Sequence, residues 1–380
     1  MRSDNLAGAT SSVAPYSVEW LSDLADIERL EPMWRALESR VSDRTVFVTW
    51  DYLITWYRHY GGIYGEPLVG VARKGDDLVG IAPLVVRRST VGRIPVRRVD
   101  FACYDGEAGE FLIVDDNPEA AGELVGSAVK TMPFDVIRLS NFTSNSAKLD
   151  SVEQAAREQG LRLHREDYAY ATVDLKSGYD AYYRSMGRNF RRNLKRMDER
   201  LAGIGQVRIE GARIGCDQSM IEPVVQRLFA IEAESWKAVK RGYPLAAHHR
   251  RFIQEIGERF GPQGKLDIAI LTIGGVDAAY LMALMEHGVY YDVTISYSEK
   301  FSAASPGTYL MLLLMAELPS RGVHTVVSHG PHAYKKRWAT AFVSVCNAYI
   351  FGKSLRARAS RFNRYVLAPL LNRTPVREWV

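Results

Sequence analysis

The sequence predicts an α/β (α+β) protein made of two tandem units, each a mixed, mostly antiparallel sheet flanked by helices. Three observations carry this. The chain has 380 residues, too many for one ordinary core and suited to two domains of about 150–190 residues. Each half repeats one plan: a glycine-turned hairpin, a further strand, a helix and another strand. Uninterrupted β-α-β alternation is absent, which argues against dinucleotide-binding and TIM-barrel plans. The repeat is one of architecture rather than of sequence identity.

Residues 1–15 are small and polar and read as a disordered N-terminus without the apolar run of a secretory leader. The first domain is expected over 16–175. Residues 24–37 show apolar spacing of three and four, which predicts a helix, and 51–60 predict a second, aromatic-rich one. The β-branched runs 67–73 and 78–87 flank Lys74-Gly75-Asp76-Asp77, a hairpin signal. Strands follow at 95–102 and 111–114. A helix at 118–130 starts on a proline. Residues 134–139 read as a buried strand, 150–159 as a helix stopped by Gly160, and 161–175 as extended.

The second domain is expected over 176–350. A long basic helix spans 179–201, and further helices span 220–239 and 248–260. Strands at 266–273 and 278–286 flank Gly274-Gly275-Val276-Asp277, again a hairpin signal. Then come a strand at 289–295, a helix at 305–321, a strand at 323–327 and a last strand at 343–351. A basic helix or tail fills 351–380.

Composition narrows the function classes. Hydrophobic residues make up 47% and charged residues 24%, which is globular. The apolar run that opens at Tyr309 ends before Glu317 and falls short of the ~18–20 residues that span a bilayer. Cys103, Cys216 and Cys346 form no C-x-x-C pair, so neither a zinc ribbon nor a disulfide framework is expected, and a reducing cytoplasm fits. Net charge is +5, but 351–380 alone carries seven basic residues against Glu378, so the rest of the chain is near neutral. A second basic cluster runs Arg184, Arg188, Arg191, Arg192, Lys195, Arg196 and Arg200. Both clusters read either as solvated helix faces or as docks for a polyanion: a phosphopantetheine carrier, nucleic acid or a membrane surface. No G-x-G-x-x-G follows the first strand and no Walker lysine is present.

Chemistry concentrates in 290–338. Tyr290-Tyr291-Asp292-Val293 is a strand bearing an acid. Ser305-Pro306-Gly307-Thr308 opens a helix that is apolar nearly all round. Ser305 suits the N-cap, Pro306 the first turn, and Gly307 a close backbone approach. The mouth of such a buried helix is either an ordinary capped terminus or a cradle for phosphate. Ser328-His329-Gly330-Pro331-His332 follows a strand's carboxyl end. His329 is a candidate base or a turn residue; with no third ligand near, it and His332 do not read as a metal site. Asp292 reads as a buried acid of its strand.

These residues together resemble a family. Glu234-Ser235-Trp236-Lys237 with Gly242, Tyr291-Asp292, Ser305-Pro306-Gly307, then Gly330, Tyr334-Lys335 and Trp338, stand in the order seen in the CelD/BcsL-type acetyltransferases of the GNAT superfamily. Arg188-Asn189-Phe190-Arg191-Arg192-Asn193-Leu194 is similar to that family's entry into its catalytic half. The resemblance implies tandem GNAT-like domains, as in the FemABX transferases, with catalysis in the second.

It also implies an N-acyltransferase in which an amine attacks a thioester directly. No G-x-S-x-G or other nucleophile signature opposes that. Asp292 is then the first candidate to bind or deprotonate the amine, His329 the second, and Tyr334 a proton donor to the leaving thiolate. Ser305, Gly307 and Thr308 would hold the donor's phosphate arm, and Lys335 a phosphate or carboxylate. Trp236, Lys237 and Tyr291 would line the acceptor cleft. No tightly bound cofactor is implied, only acyl-CoA or acyl-phosphopantetheine as co-substrate. The superfamily's pyrophosphate loop carries several glycines, whereas 300–307 has only Gly307. An acyl carrier protein, with one phosphodiester and an acidic surface, suits the basic helix. The expected acceptor is an amine-bearing small molecule, sugar or peptide. DNA is not an expected partner, and the tail is a candidate for peripheral membrane contact. Two other readings stay open: a FemABX-like aminoacyl-tRNA-dependent ligase, and a non-catalytic GNAT-fold interaction module.

Overall fold

The computed structural model describes residues 15–91, 93–103, 107–235, 238, 247–328, 330 and 333–371, with the side chains of Ala333, Tyr334 and Leu371 outside that description. The first half contains β1 (Tyr16–Leu21), α1 (Leu24–Glu28), α2 (Glu31–Glu38), α3 (Trp50–Tyr60), β2 (Glu66–Lys74), β3 (Asp77–Val91), β4 (Ile94–Phe101), β5 (Leu112–Ile113), α4 (Ala120–Thr131), β6 (Val136–Thr143), α5 (Ala147–Glu158) and β7 (Leu163–Asp174). The second half contains α6 (Tyr179–Ser185), α7 (Arg188–Ile204), β8 (Val207–Ala212), α8 (Ile221–Ala233), α9 (Ala247–Phe260), β9 (Leu266–Ile273), β10 (Val276–Glu286), β11 (Val289–Tyr297), α10 (Pro306–Glu317), β12 (Thr325–Ser328) and β13 (Ala341–Phe351). After it come α11 (Leu355–Phe362), a π-helical turn (Asn363–Leu367) and α12 (Ala368–Leu371).

The strands form one 13-stranded sheet in the order β1-β2-β3-β4-β6-β13-β7-β12-β11-β10-β9-β8, with β5 on β3. The order is nearly palindromic. Each half builds an antiparallel meander that closes in a parallel pair, β4 with β6 and β11 with β12. At the centre the last strands are exchanged. β13 pairs with β6 of the first half, and β7 pairs with β12 of the second. β13 and β7 then pair with each other from Ala341 opposite Thr172 to Ile350 opposite Leu163. This exchange fuses both halves into one mixed sheet flanked by helices, the predicted fold class.

Both hairpins form where the sequence places them. Gly75 has φ 61°, and Gly274 and Gly275 have φ 59° and 84°, the positive angles that tight hairpin turns require. Two predicted helices are broken. The run 24–37 divides into α1 and α2 because Pro32 lies in the first turn of α2. It lacks an N–H, and its ring bars continuation from the turn before. The run 179–201 divides at Met186-Gly187, both extended at ψ about 140°. Two strands were not anticipated, β1 and β8, the two ends of the sheet. Their period-two patterns (Tyr16, Val18, Trp20; Val207, Ile209) carried the signal.

The largest core cluster crosses the halves, joining Trp34, Tyr52 and Leu124 to Phe252 of α9. A polar network runs beside it. Asp51 of α3 accepts from Arg35 at 2.8 Å, Arg259 at 3.2 Å and Gln263 at 2.9 Å. Glu255 of α9 meets His59 at 2.8 Å and Arg58 at 3.0 Å. Burial pushes both carboxyl groups up, but these donors outweigh it, and both end below their ordinary values. A second cluster surrounds α10, where Leu310 and Leu314 pack with Met197 and Leu201 of α7. Among the described residues no helix is long and apolar enough to cross a membrane.

Candidate active site

β11 and β12 run parallel from Val289 opposite Thr325 to Asp292 opposite Ser328, and there they part. β11 continues to Tyr297 on β10 alone, and no strand among the described residues pairs its other edge beyond Asp292. The register on β10 shifts between Met282, opposite Thr294, and Ala283, opposite Asp292. Val293 is therefore an extra residue, and such a bulge bends the strand and re-aims its side chains. The result is a gap with a strip of ladder edge along 293–297.

α10 begins at the far side of that gap, after a 3₁₀ segment (Glu299–Ala304). Ser305 occupies its N-cap position with φ 53° and ψ 52°, and its side chain makes no capping hydrogen bond. The expected serine cap is thus absent, because capping geometry needs an extended backbone at that residue. The Ser305 N–H is spent on the Ser302 carbonyl at 3.1 Å. Pro306 has no N–H, so the N–H groups of Gly307 and Thr308 are the first-turn donors that helix geometry leaves without an intrahelical acceptor. Gly307 is buried, and a Cβ there would lie 3.4 Å from Tyr297 and 3.6 Å from Ile295. Its smallness seats the first turn of α10 on β11. α7 lies alongside: Arg200 donates to the Ala303 carbonyl at 3.4 Å, and the Tyr309 hydroxyl bonds Asp198. Arg188, Arg192, Lys195, Arg196 and Arg200 are exposed on α7, so the basic helix borders the mouth of α10.

At the parting point Ser328 donates its hydroxyl to Asp292 Oδ2. Lys335 is 5% exposed beside them. Burial lowers its ammonium pKa, and the charge of Asp292 partly offsets that. The three groups share the α10 face of the sheet. Beneath them the Tyr290 hydroxyl, raised well above its usual value by burial, donates to Asp267 at 3.0 Å.

Of the residues expected at the site, Asp292 and Lys335 come together, and Ser305, Gly307 and Thr308 line the helix mouth. Tyr291 faces the opposite way, into the core between the halves, with its ring 5.4 Å from that of Phe47. Trp236, Lys237, His329 and the side chain of Tyr334 lie outside the described residues. Two features escaped sequence reasoning. One is Ser328, which gave no signal beyond its place at a strand's end. The other is a buried chain on the opposite face: Tyr280 donates to Glu232 at 3.0 Å and lies 3.3 Å from Thr294, the residue after the bulge. The arrangement combines a carboxylate, a hydroxyl and a buried ammonium at one end of a gap with an uncapped helix terminus at the other.

Comparison with known proteins gives a consistent account. Residues 188–336 match the acetyltransferase (GNAT) domain family. Among solved structures, FemX aligns with a TM-score of 0.57 at 10% identity, covering 90% of this chain and 99% of that one. A tandem GNAT protein from the clavulanic acid biosynthesis pathway aligns with a TM-score of 0.50 at 13% identity, covering 88% of this chain and 98% of that one. At such identities the likeness speaks for the fold. No curated protein sequence matches the chain. The protein therefore has a tandem GNAT fold, and its second half carries the stretch that matches an acetyltransferase (GNAT) domain.

Proposed function

We propose that the second half is an N-acyltransferase of the CelD/BcsL type, moving an acyl group from a thioester donor to an amine by direct attack. One observation carries the reading: β11 and β12 part at Asp292, and an uncapped, buried helix terminus lies across the gap. A GNAT-type transfer needs such a place, since the protein must position two reactants and handle one proton without forming a covalent intermediate. The donor's extended amide arm would pair with the free edge of 293–297. Its phosphate would meet the N–H groups of Gly307 and Thr308, where the helix dipole favours negative charge.

The amine nitrogen forms a bond to the thioester carbonyl carbon, and the carbon–sulfur bond breaks. The amine's proton passes to Asp292, with His329 the second candidate, and Tyr334 is a candidate to protonate the departing thiolate. Ser328 fixes the Asp292 carboxylate, and the Lys335 ammonium lies near it. The exposed arginines of α7 beside the helix mouth favour a donor presented on an acidic carrier protein as well as coenzyme A.

The test is thiol release by the purified chain, using acyl-CoA and acyl carrier protein donors of several chain lengths with a panel of small amines, amino sugars and peptides. Amine-dependent release supports the reading. A ribonuclease-sensitive activity that uses only aminoacyl-tRNA would replace it with the Fem-like alternative. No thermal stabilisation by any donor at concentrations far above micromolar would favour a binding module.

A further inference from the structure

We propose that the α11–α12 segment docks this protein onto an anionic lipid bilayer. The segment is fixed to the first-half side of the sheet by one face. Ala357 and Ser360 are fully buried. Arg364 makes a two-pronged pair with Glu166 of β7, at 2.8 and 2.7 Å. Tyr365 stacks on His164 with ring centroids 4.6 Å apart. Tyr365 therefore belongs to the anchored face.

The opposite face is apolar and bare. Leu355 is 83% exposed, Leu370 76% and Phe362 56%, with Val366 between them. Steps of seven, four and four residues put these side chains on one stripe of a helix. An isolated exposed leucine means little, but a stripe of large apolar groups on an anchored helix is a contact surface. Arginines flank it on both sides. Arg356 lines a groove with Arg87, Arg88 and Arg97, and Arg358 and Arg361 line a crevice with Arg162 and Lys353. Among the described residues Arg356, Arg358 and Arg361 make no ion pair.

Charge complementarity selects the occupant. An apolar stripe bordered by exposed arginines is the pattern that lies in a bilayer interface, with the stripe among acyl chains and the guanidinium groups at headgroup phosphates. A second copy of the chain would bring its own arginines against these, a like-charge arrangement that opposes pairing.

The experiment is co-sedimentation of the full chain with phosphatidylcholine vesicles, with and without about one-third phosphatidylglycerol. Binding is expected to the anionic vesicles only, and to fall about tenfold or more between low and high salt, because each arginine near the surface acts through screened attraction. Two sets of exposed substitutions separate the contributions. Leu355→Ser with Leu370→Ser, and Arg356→Gln with Arg358→Gln and Arg361→Gln, are each expected to reduce bound protein about tenfold or more with unchanged thermal melting. Protein left in the supernatant with anionic vesicles at low salt overturns the proposal. Equal binding to neutral vesicles, binding unaffected by either set, or a dimer in solution that the two serines dissolve would each do the same.

Discussion

The two halves reach the same topological point with different contents. In the first half the parallel pair β4–β6 ends with Asp100 opposite Arg138. In the second, β11–β12 ends with Asp292 opposite Ser328. Asp100 is clamped by Arg87 at 2.5 Å and Arg98 at 2.8 Å. Phe101, Phe111 and Phe142 pack beyond it with centroids 5.0–5.9 Å apart, all nearly fully buried. The first turn of α4 is occupied too: Ser151 accepts from the Gly122 N–H at 2.9 Å and donates to the Glu119 carbonyl at 3.1 Å. In the second half the acid meets a hydroxyl and one buried ammonium, and the helix terminus has no side-chain cap. The first half has spent its polar groups on packing. The second gathers a carboxylate, a hydroxyl and an ammonium at that point.

Exchanging the role of the two acids tests this contrast most strongly. Asp292→Asn is expected to lower turnover by about 10²–10⁴ with little loss of stability, the usual range for a positioned proton acceptor. Asp100→Asn should instead cost about 3 kcal/mol of stability by leaving the buried Arg98 and the half-buried Arg87 underpaired, with turnover per folded molecule unchanged. Steady-state kinetics with chemical denaturation on both variants reads the difference. Equal turnover of Asp292→Asn and the parent would remove Asp292 from the chemistry.

Phe142→Ala probes the filled gap. It should destabilise the protein by about 3–5 kcal/mol through lost transfer energy and a cavity, again with the reaction intact in the folded fraction. Activity lost in step with a specific rise in donor KM would mean that the first half also binds donor.

The two helix termini give a smaller effect. Thr308→Pro removes one first-turn N–H where proline is tolerated, and should weaken donor binding about tenfold, roughly one charge-assisted hydrogen bond. Ser151→Ala should cost about 1 kcal/mol of stability and leave donor affinity alone. Calorimetric titration of donor into each variant decides.

The smallest effect lies where the halves meet. Asp51 and Glu255 are held below their ordinary values, so their contribution is complete above the unfolded-state range near 4 and is lost as pH falls through their folded values. Melting temperature should therefore drop below about pH 4, and drop less steeply in Asp51→Asn with Glu255→Gln. An unchanged slope in that double variant would mean that other carboxylates govern the acid limb.

Much of this was legible in the chain. Both hairpin turns were readable because only glycine fits their positive φ at no cost. The buried character of α10 was readable from an apolar run with no polar face. Asp292 stood out as an acid in an otherwise apolar and aromatic strand. The breaks at Pro32 and Met186-Gly187 were written locally but outweighed by the periodicity around them. Tyr291, adjacent to Asp292 in sequence, looked like part of the same cleft; strand alternation turns it to the other face.

What the sequence determined alone was local: turns, helix faces, the period-two strands, and the uneven charge that gathers in α7 and the tail. These follow from backbone sterics and the burial of apolar side chains over a few residues. Only the tertiary structure decided that β7 and β13 change places, that Ser328 reaches Asp292 across 36 positions of chain, and that aromatic rings fill the end of one parallel pair while a hydroxyl and an ammonium meet the acid of the other. Those facts depend on which distant groups share a desolvated space, and contact order of that kind leaves no trace in neighbouring residues.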